Sequence, residues 1–363
     1  MRPRARHVRH DRLQTARRGA GDRAFVLAEL LCVIALLLVL AVVIAVLGPE
    51  NRYRSQMAGS LNNLQRLGSG IADYGLQSSD SVVSFTWRAG ESRTCDDYAF
   101  PVAGSDLDAA ANQAVCILRR QTGRTDITQI SGWFPHLFYN MLPLLEYLDE
   151  PLPSRLVVSP GDNVRVAWQD AVRRDPADPN GPYFNMRCRP GYPSASNTDK
   201  RWPFSSSYEM PPAFYSPDAA VGNVQTIAQS NTHSLFFFGA STPLGRRLLS
   251  DIRHPSQKAM MYESNQRFFG SREPFFMFAE ARVPVLLCDG SVVVRSSSYA
   301  NQGFQPNSPT SSLPTQVNYV PDVAWETPPP NGSSNQFTPA RMRFTRSGLL
   351  GRDFGGPEVP WAP

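Results

Sequence analysis

Hydrophobic positions follow a different rhythm in each part of the chain. From Phe25 to Leu47 they run unbroken for 23 residues except for Glu29. A helix of that length spans roughly 35 Å, enough for a ~30 Å hydrocarbon layer, so the run predicts a transmembrane helix over 25–47. Past it, Leu61, Leu64, Leu67, Ile71 and Tyr74 recur at spacings of three and four. That stripe predicts a helical extension over 48–78 lying against a sheet. Gly48-Pro49 is expected to kink or break the helix, and Gly75 with the serines after it to end it.

Later periodicities are shorter. Val82–Trp87 reads as a strand. A helix is predicted over about 106–121, with Ser105 three residues before Asp108 as its N-terminal cap and Gly123 as its end. Val285–Cys288 and Ser291–Arg295 flank Asp289-Gly290, a pair that tolerates positive φ, which predicts a tight hairpin with a type I′ turn. Ser234–Phe238 and Lys258–Glu263 are further strand candidates. Residues 132–148 are the most apolar after the first run and read as core packing. His136 within them reads as a core or turn residue rather than a ligand.

Residues 150–232 read as long loops around short elements at Leu156–Ser159 and Val164–Trp168, with Trp202–Glu209 packing onto the sheet. The last segment, 301–363, holds 11 of the 32 prolines. It is expected to wrap the surface in extended conformation, ordered in part by Trp325, Phe344, Phe354 and Trp361. The expected fold class is α+β: a long N-terminal transmembrane helix packed on an antiparallel-sheet ectodomain with long loops. The expected divisions are a basic leader 1–24, the span 25–47, the extension 48–78, an α+β domain 79–300 and the proline-rich segment 301–363.

Charge sharpens this division. Residues 1–24 carry eight Arg and two Asp, a formal +6, against +5 for the whole chain, leaving −1 for the rest. The basic balance thus belongs to the leader, and the charge of the remainder gives no support for the basic face that nucleic-acid binding would need. Eight Arg before the apolar run place the N-terminus in the cytoplasm and the rest outside. Of the five cysteines, Cys32 falls in the apolar run. Cys95, Cys116, Cys188 and Cys288 fall in the exported part, where disulfides persist. Their three possible pairings are not resolved by spacing, with Cys95–Cys116 the local candidate. Asp96, Asp97, Asp106 and Asp108 lack the spacing of a calcium loop, and no cofactor or metal site is expected.

The run Ala24-Phe25-Val26-Leu27-Ala28-Glu29, followed by a long apolar stretch, resembles the type IV prepilin signature. Leu61–Gly68 also resembles the segment after the anchor in prepilin-like proteins of the H-x9-DG group, and the Asp289-Gly290 hairpin their terminal element. Ala24 stands where the family has Gly, and Ala279 where the group has its His. The resemblance implies cleavage by a prepilin peptidase between Ala24 and Phe25, N-methylation of Phe25, and a role for Glu29 in subunit assembly. It also implies other pilin or pseudopilin subunits as partners and the inner membrane as location, with the ectodomain periplasmic or at the surface.

No G-x-S-x-G, H-E-x-x-H, phosphate loop or dinucleotide fingerprint is present. Asp353-Phe354-Gly355 matches a kinase triplet without its companion motifs. No catalytic residues are assigned, and the expected role is assembly in a type II secretion or type IV pilus-like system. The alternative is an anchored surface protein that binds carbohydrate or envelope polymer without polymerising, through residues 132–148 and 150–232.

Overall fold

The computed structural model describes residues 27–96, 98–174, 199–216, 228–229, 233–237, 244–304, 317–321 and 326–360. The chain divides into two compact units, Met1–Asn51 and Arg52–Pro363. Helix α1 (Leu27–Gln77) is a single element through Gly48 and Pro49. The break expected there is therefore absent. A proline removes one hydrogen bond from the ladder, and long flanking helical runs sustain the rest.

The transmembrane assignment is overturned. Among the described residues, no helix is long and apolar enough to cross a membrane. The α+β content and the antiparallel sheets do appear in the structure.

In the larger unit, the end of α1 buries Leu64, Leu67 and Ile71 completely. Gly68 lets the helix approach the sheet: a Cβ there would sit 2.8 Å from Leu286 Cδ1. Strands β1 (Arg93–Cys95) and β2 (Tyr98–Phe100) form a short antiparallel pair. Helix α2 (Asp106–Thr122) starts at Ser105, whose side chain accepts from Asp108 N, and ends at Gly123 with φ 68°. From Ala109 to Arg119 every residue of α2 is buried, so it is a core helix and not a half-exposed one. Helices α3 (Leu142–Tyr147) and α4 (Asn163–Arg174) follow. Pro143 lies in the first turn of α3, where its missing N–H is harmless.

The principal sheet comprises β3 (Tyr208–Glu209), β6 (Ala259–Glu263), β7 (Arg282–Leu287) and β8 (Val292–Ser296), in the antiparallel order β3-β6-β7-β8. Between β3 and β6 in sequence, β4 (Ala228–Gln229) and β5 (Phe236–Phe237) pair with each other. The strand expected over Ser234–Phe238 is thus shorter and outside the main sheet; Phe238 lies outside the described residues. Strand β6 is buried at every position, Glu263 included.

The hairpin between β7 and β8 falls where expected, but its turn differs. Gly290 has φ 85°, and Asp289 is not among the positive-φ residues. Gly290 N donates to Leu287 O at 3.0 Å and Leu287 N to Ser291 O at 2.8 Å. This is a three-residue loop with glycine in the left-handed position, not a type I′ turn. Asp289 instead accepts from Ser291 N at 3.0 Å.

Two further expectations need correction. Residues 82–87 are no strand: Val82 N donates to Arg247 O, and Thr86 N and Trp87 N both donate to Gln113 Oε1, at 2.7 and 2.9 Å. A buried glutamine takes the place of a neighbouring strand. The C-terminal segment does not merely wrap the surface. It contributes β9 (Val317–Tyr319) paired with β10 (Gln336–Thr338), and Ala340, Met342, Phe344 and Leu349 to the core. Trp325 and Trp361 lie outside the described residues.

Cys95 and Cys116 are joined in a disulfide with Cα atoms 5.5 Å apart, tying β1 to α2 across 21 positions. Replacing both by Ser is expected to lower unfolding free energy by about 3 kcal/mol, mainly by relaxing the constraint on the unfolded chain. Urea unfolding of oxidised wild type against the double variant measures the difference.

Candidate functional site

Three places concentrate side chains that a soluble core does not require. The first is the beginning of α1. Leu30, Leu31, Val33, Ile34 and Leu36–Leu40 are each 43–69% exposed. Since successive residues of a helix advance by about 100°, so dense a run leaves apolar groups on every side. Glu29 lies in the first turn of this helix, also exposed. Ala24 and Phe25 lie outside the described residues.

The second is a set of buried ionic groups around the sheet. Asp162 Oδ2 lies 2.7 Å from Arg165 Nη1, 2.9 Å from Arg267 Nη2 and 2.8 Å from Ser207 Oγ. Arg267 reaches Glu263 Oε1 at 3.1 Å, and Ser60 of α1 donates to Glu263 Oε2 at 2.9 Å. Burial opposes ionisation of Asp162, but Arg267 and Arg165 outweigh it and hold the carboxyl far below its ordinary value. Burial pushes Glu263 up, offset in part by Arg267, Ser159 and Ser60. These contacts join α1, the turn before α4 and strands β3 and β6.

A second ionic group tethers the C-terminal segment. Arg343 donates to Glu209 Oε2 through Nη2 at 2.5 Å and Nε at 3.1 Å, and to His233 O. His233 Nε2 contacts Glu326 Oε1 at 3.0 Å. Lys258 lies 3.1 Å from Asp353 Oδ2, and Ala259 N donates to the same oxygen at 2.8 Å. The Asp353-Phe354-Gly355 triplet is therefore a packing element on β6. Both groups knit strands to distant segments.

The third place is a cleft of about 800 Å³ between the loop at 266–280 and the loop at 326–332, with Val164 at one side. Glu273, Glu280 and Glu326 line it, together with Arg272, Pro274 and Pro328–Pro330. Nothing in the local sequence pairs these loops.

The remaining expected site residues fall apart in space and in role. Asp289 and Gly290 form the hairpin turn described above. Cys288 is an unpaired, half-buried thiol whose pKa burial raises strongly; Cys188 lies outside the described residues. Cys32 is exposed and unpaired. Asp106 Oδ1 accepts from Ala89 N and Oδ2 from Leu244 N, while Asp108 accepts from Ser105; Asp97 lies outside the described residues. Among the described residues no group of His, Cys, Asp and Glu is placed to hold a metal ion. His136 is half-buried, accepts from Phe138 N, and has its pKa pushed well down, by desolvation first and Arg201 next. Trp133 is 1% exposed, and Trp202 packs on Trp168 with ring centroids 5.4 Å apart. Residues 132–148 thus form no open aromatic groove. No family model, curated protein or solved structure matches this chain.

Proposed function

We propose that this chain is a pilin- or pseudopilin-like subunit of a type II secretion or type IV pilus-like assembly, with a role in assembly and recognition rather than chemistry. The observation that carries this reading is the exposed apolar start of α1 with Glu29 in its first turn. Exposed apolar surface on this scale marks an interaction site. Burial among the corresponding helices of neighbouring subunits removes it from water at about 25 cal/mol per Å².

On this reading a prepilin peptidase of the inner membrane cuts between Ala24 and Phe25. The methylated amine of Phe25 then meets Glu29 of the adjacent subunit, which sets the axial register. A carboxylate drawn into an apolar bundle needs such a partner, because an unpaired buried charge is strongly disfavoured.

Mass spectrometry of the protein from native membranes is expected to find a chain beginning at methylated Phe25. In cells, Glu29→Ala is expected to reduce incorporation into sheared or cross-linked assemblies at least ten-fold, with the folded unit still accumulating. An intact leader, or normal incorporation of the variant, would reject the assignment and leave the non-polymerising surface protein in its place.

A further inference from the structure

The cleft between the 266–280 and 326–332 loops is unused by the subunit role, and its chemistry is specific. Its walls are held in place from behind. Thr327 Oγ1 donates to Glu273 O at 2.7 Å and Asn265 Nδ2 to the same oxygen at 3.2 Å. Gln266 N donates to Pro274 O at 2.9 Å, and Arg282 N to Gln266 Oε1 at 2.9 Å. On the opposite side, Gly332 N closes a turn onto Pro329 O at 2.9 Å. Each loop is thereby shaped before any ligand arrives.

The lining combines apolar walls with excess negative charge. Three Glu and one Arg leave a formal −2. Glu326 is taken by His233, and Glu280 sits at the exposed rim. Glu273 is different. It is half-buried, and its carboxylate has no hydrogen-bond or ion-pair partner among the described residues. Burial raises its pKa, a rise that Arg267 offsets in part and Asp162 augments. A carboxylate withdrawn from water beside a cavity, without a bonded partner, gains most from a cation delivered into that cavity.

We propose that this cleft binds a basic side chain, lysine or arginine, presented by an extended peptide segment of a partner protein. Glu273 accepts from the ammonium or guanidinium, Glu280 adds long-range attraction at the rim, and Pro274 with Pro328–Pro330 lies against the alkyl stem. A single basic side chain fills only part of about 800 Å³, a volume in the range that holds a drug-sized ligand. The remainder accommodates the flanking residues, which favours a peptide over a free amine. This inference does not rest on the subunit reading, since it concerns only the folded unit.

The test is calorimetry on the full chain with capped five-residue alanine peptides carrying a central lysine, arginine or norleucine, and with spermidine. The lysine and arginine peptides are expected to bind at least ten-fold more tightly than the norleucine peptide. Glu273→Gln is expected to erase that preference while the urea midpoint stays at or above the wild-type value. Glu280→Gln is expected to weaken it less and to reduce its salt dependence. Equal binding of the lysine and norleucine peptides overturns the proposal, as does a preference that survives Glu273→Gln. Spermidine binding more tightly than either basic peptide, with the same dependence on Glu273, overturns the peptide assignment in favour of a free polyamine.

Discussion

Replacing Asp162 with Ala is expected to destabilise the folded unit by about 3–5 kcal/mol. The reason is what remains after the carboxylate is gone. Arg165 and Arg267 have side chains 1% and 5% exposed and both contact the same oxygen of Asp162. Without Asp162, both buried guanidiniums lose the carboxylate they share, while Arg267 keeps its ion pair with Glu263. Ser207 Oγ and Arg165 N lose their acceptor as well. Equilibrium urea unfolding at pH 7 measures the loss, and a change under 1 kcal/mol would show that the network is not needed for stability.

The same residue predicts an acid limb. Its folded pKa is depressed below the ordinary 3.8, so its contribution is fully present above that value. It is lost progressively as pH falls below it, when the folded carboxylate must finally accept a proton. The gap between wild type and Asp162→Ala is therefore expected to narrow as pH is lowered below about 4.

Arg343→Ala is expected to have an effect of similar size, about 3–5 kcal/mol, with a pH dependence of the same sign that falls above pH 4 rather than below it. Arg343 is 1% exposed and joins Glu209 of β3 to the C-terminal segment across 134 positions. Burial already raises the pKa of Glu209 despite Arg343, and removal of the guanidinium raises it further. A carboxylate with a raised folded pKa binds a proton that the unfolded chain has released, so the folded state loses ground as pH rises. The penalty of the variant should grow from pH 4 to pH 7. The double variant Glu209→Leu, Arg343→Met removes both charges and is expected to recover most of the loss. Failure to recover would mean that the pair's geometry, rather than the orphaned charge, sets the penalty.

These ionic groups were the least legible part of the chain. Lys258, Arg165, Arg267 and Arg343 look like surface residues in any local window, because charged side chains are rarely buried unless paired. Apart from the local pairs Arg165–Asp162 and Arg267–Glu263, their partners lie far away: 95 positions separate Lys258 from Asp353, and 105 separate Arg267 from Asp162. The cleft is equally hidden, since its two walls come from loops on either side of β7, β8 and β9. The runs at 132–148 and at Lys258–Glu263 were legible as core and strand because apolar density reports burial directly.

By itself, the sequence determined what depends on neighbours within a turn or two. This includes the helix from Asp106 with its Ser105 cap and Gly123 end, the buried stripe Leu64–Leu67–Ile71, and the place of the hairpin at Asp289-Gly290. Caps, turns and side-chain periodicity are short-range effects, so a few residues suffice to specify them. Only the tertiary structure decided that α1 continues through Pro49 and that Gln113 stands in for a strand beside residues 82–87. It likewise decided that the proline-rich end supplies Arg343 and Asp353 to buried pairs. The last two outcomes turn on which distant group satisfies a backbone donor or a buried charge, and that choice is made by the packed chain as a whole.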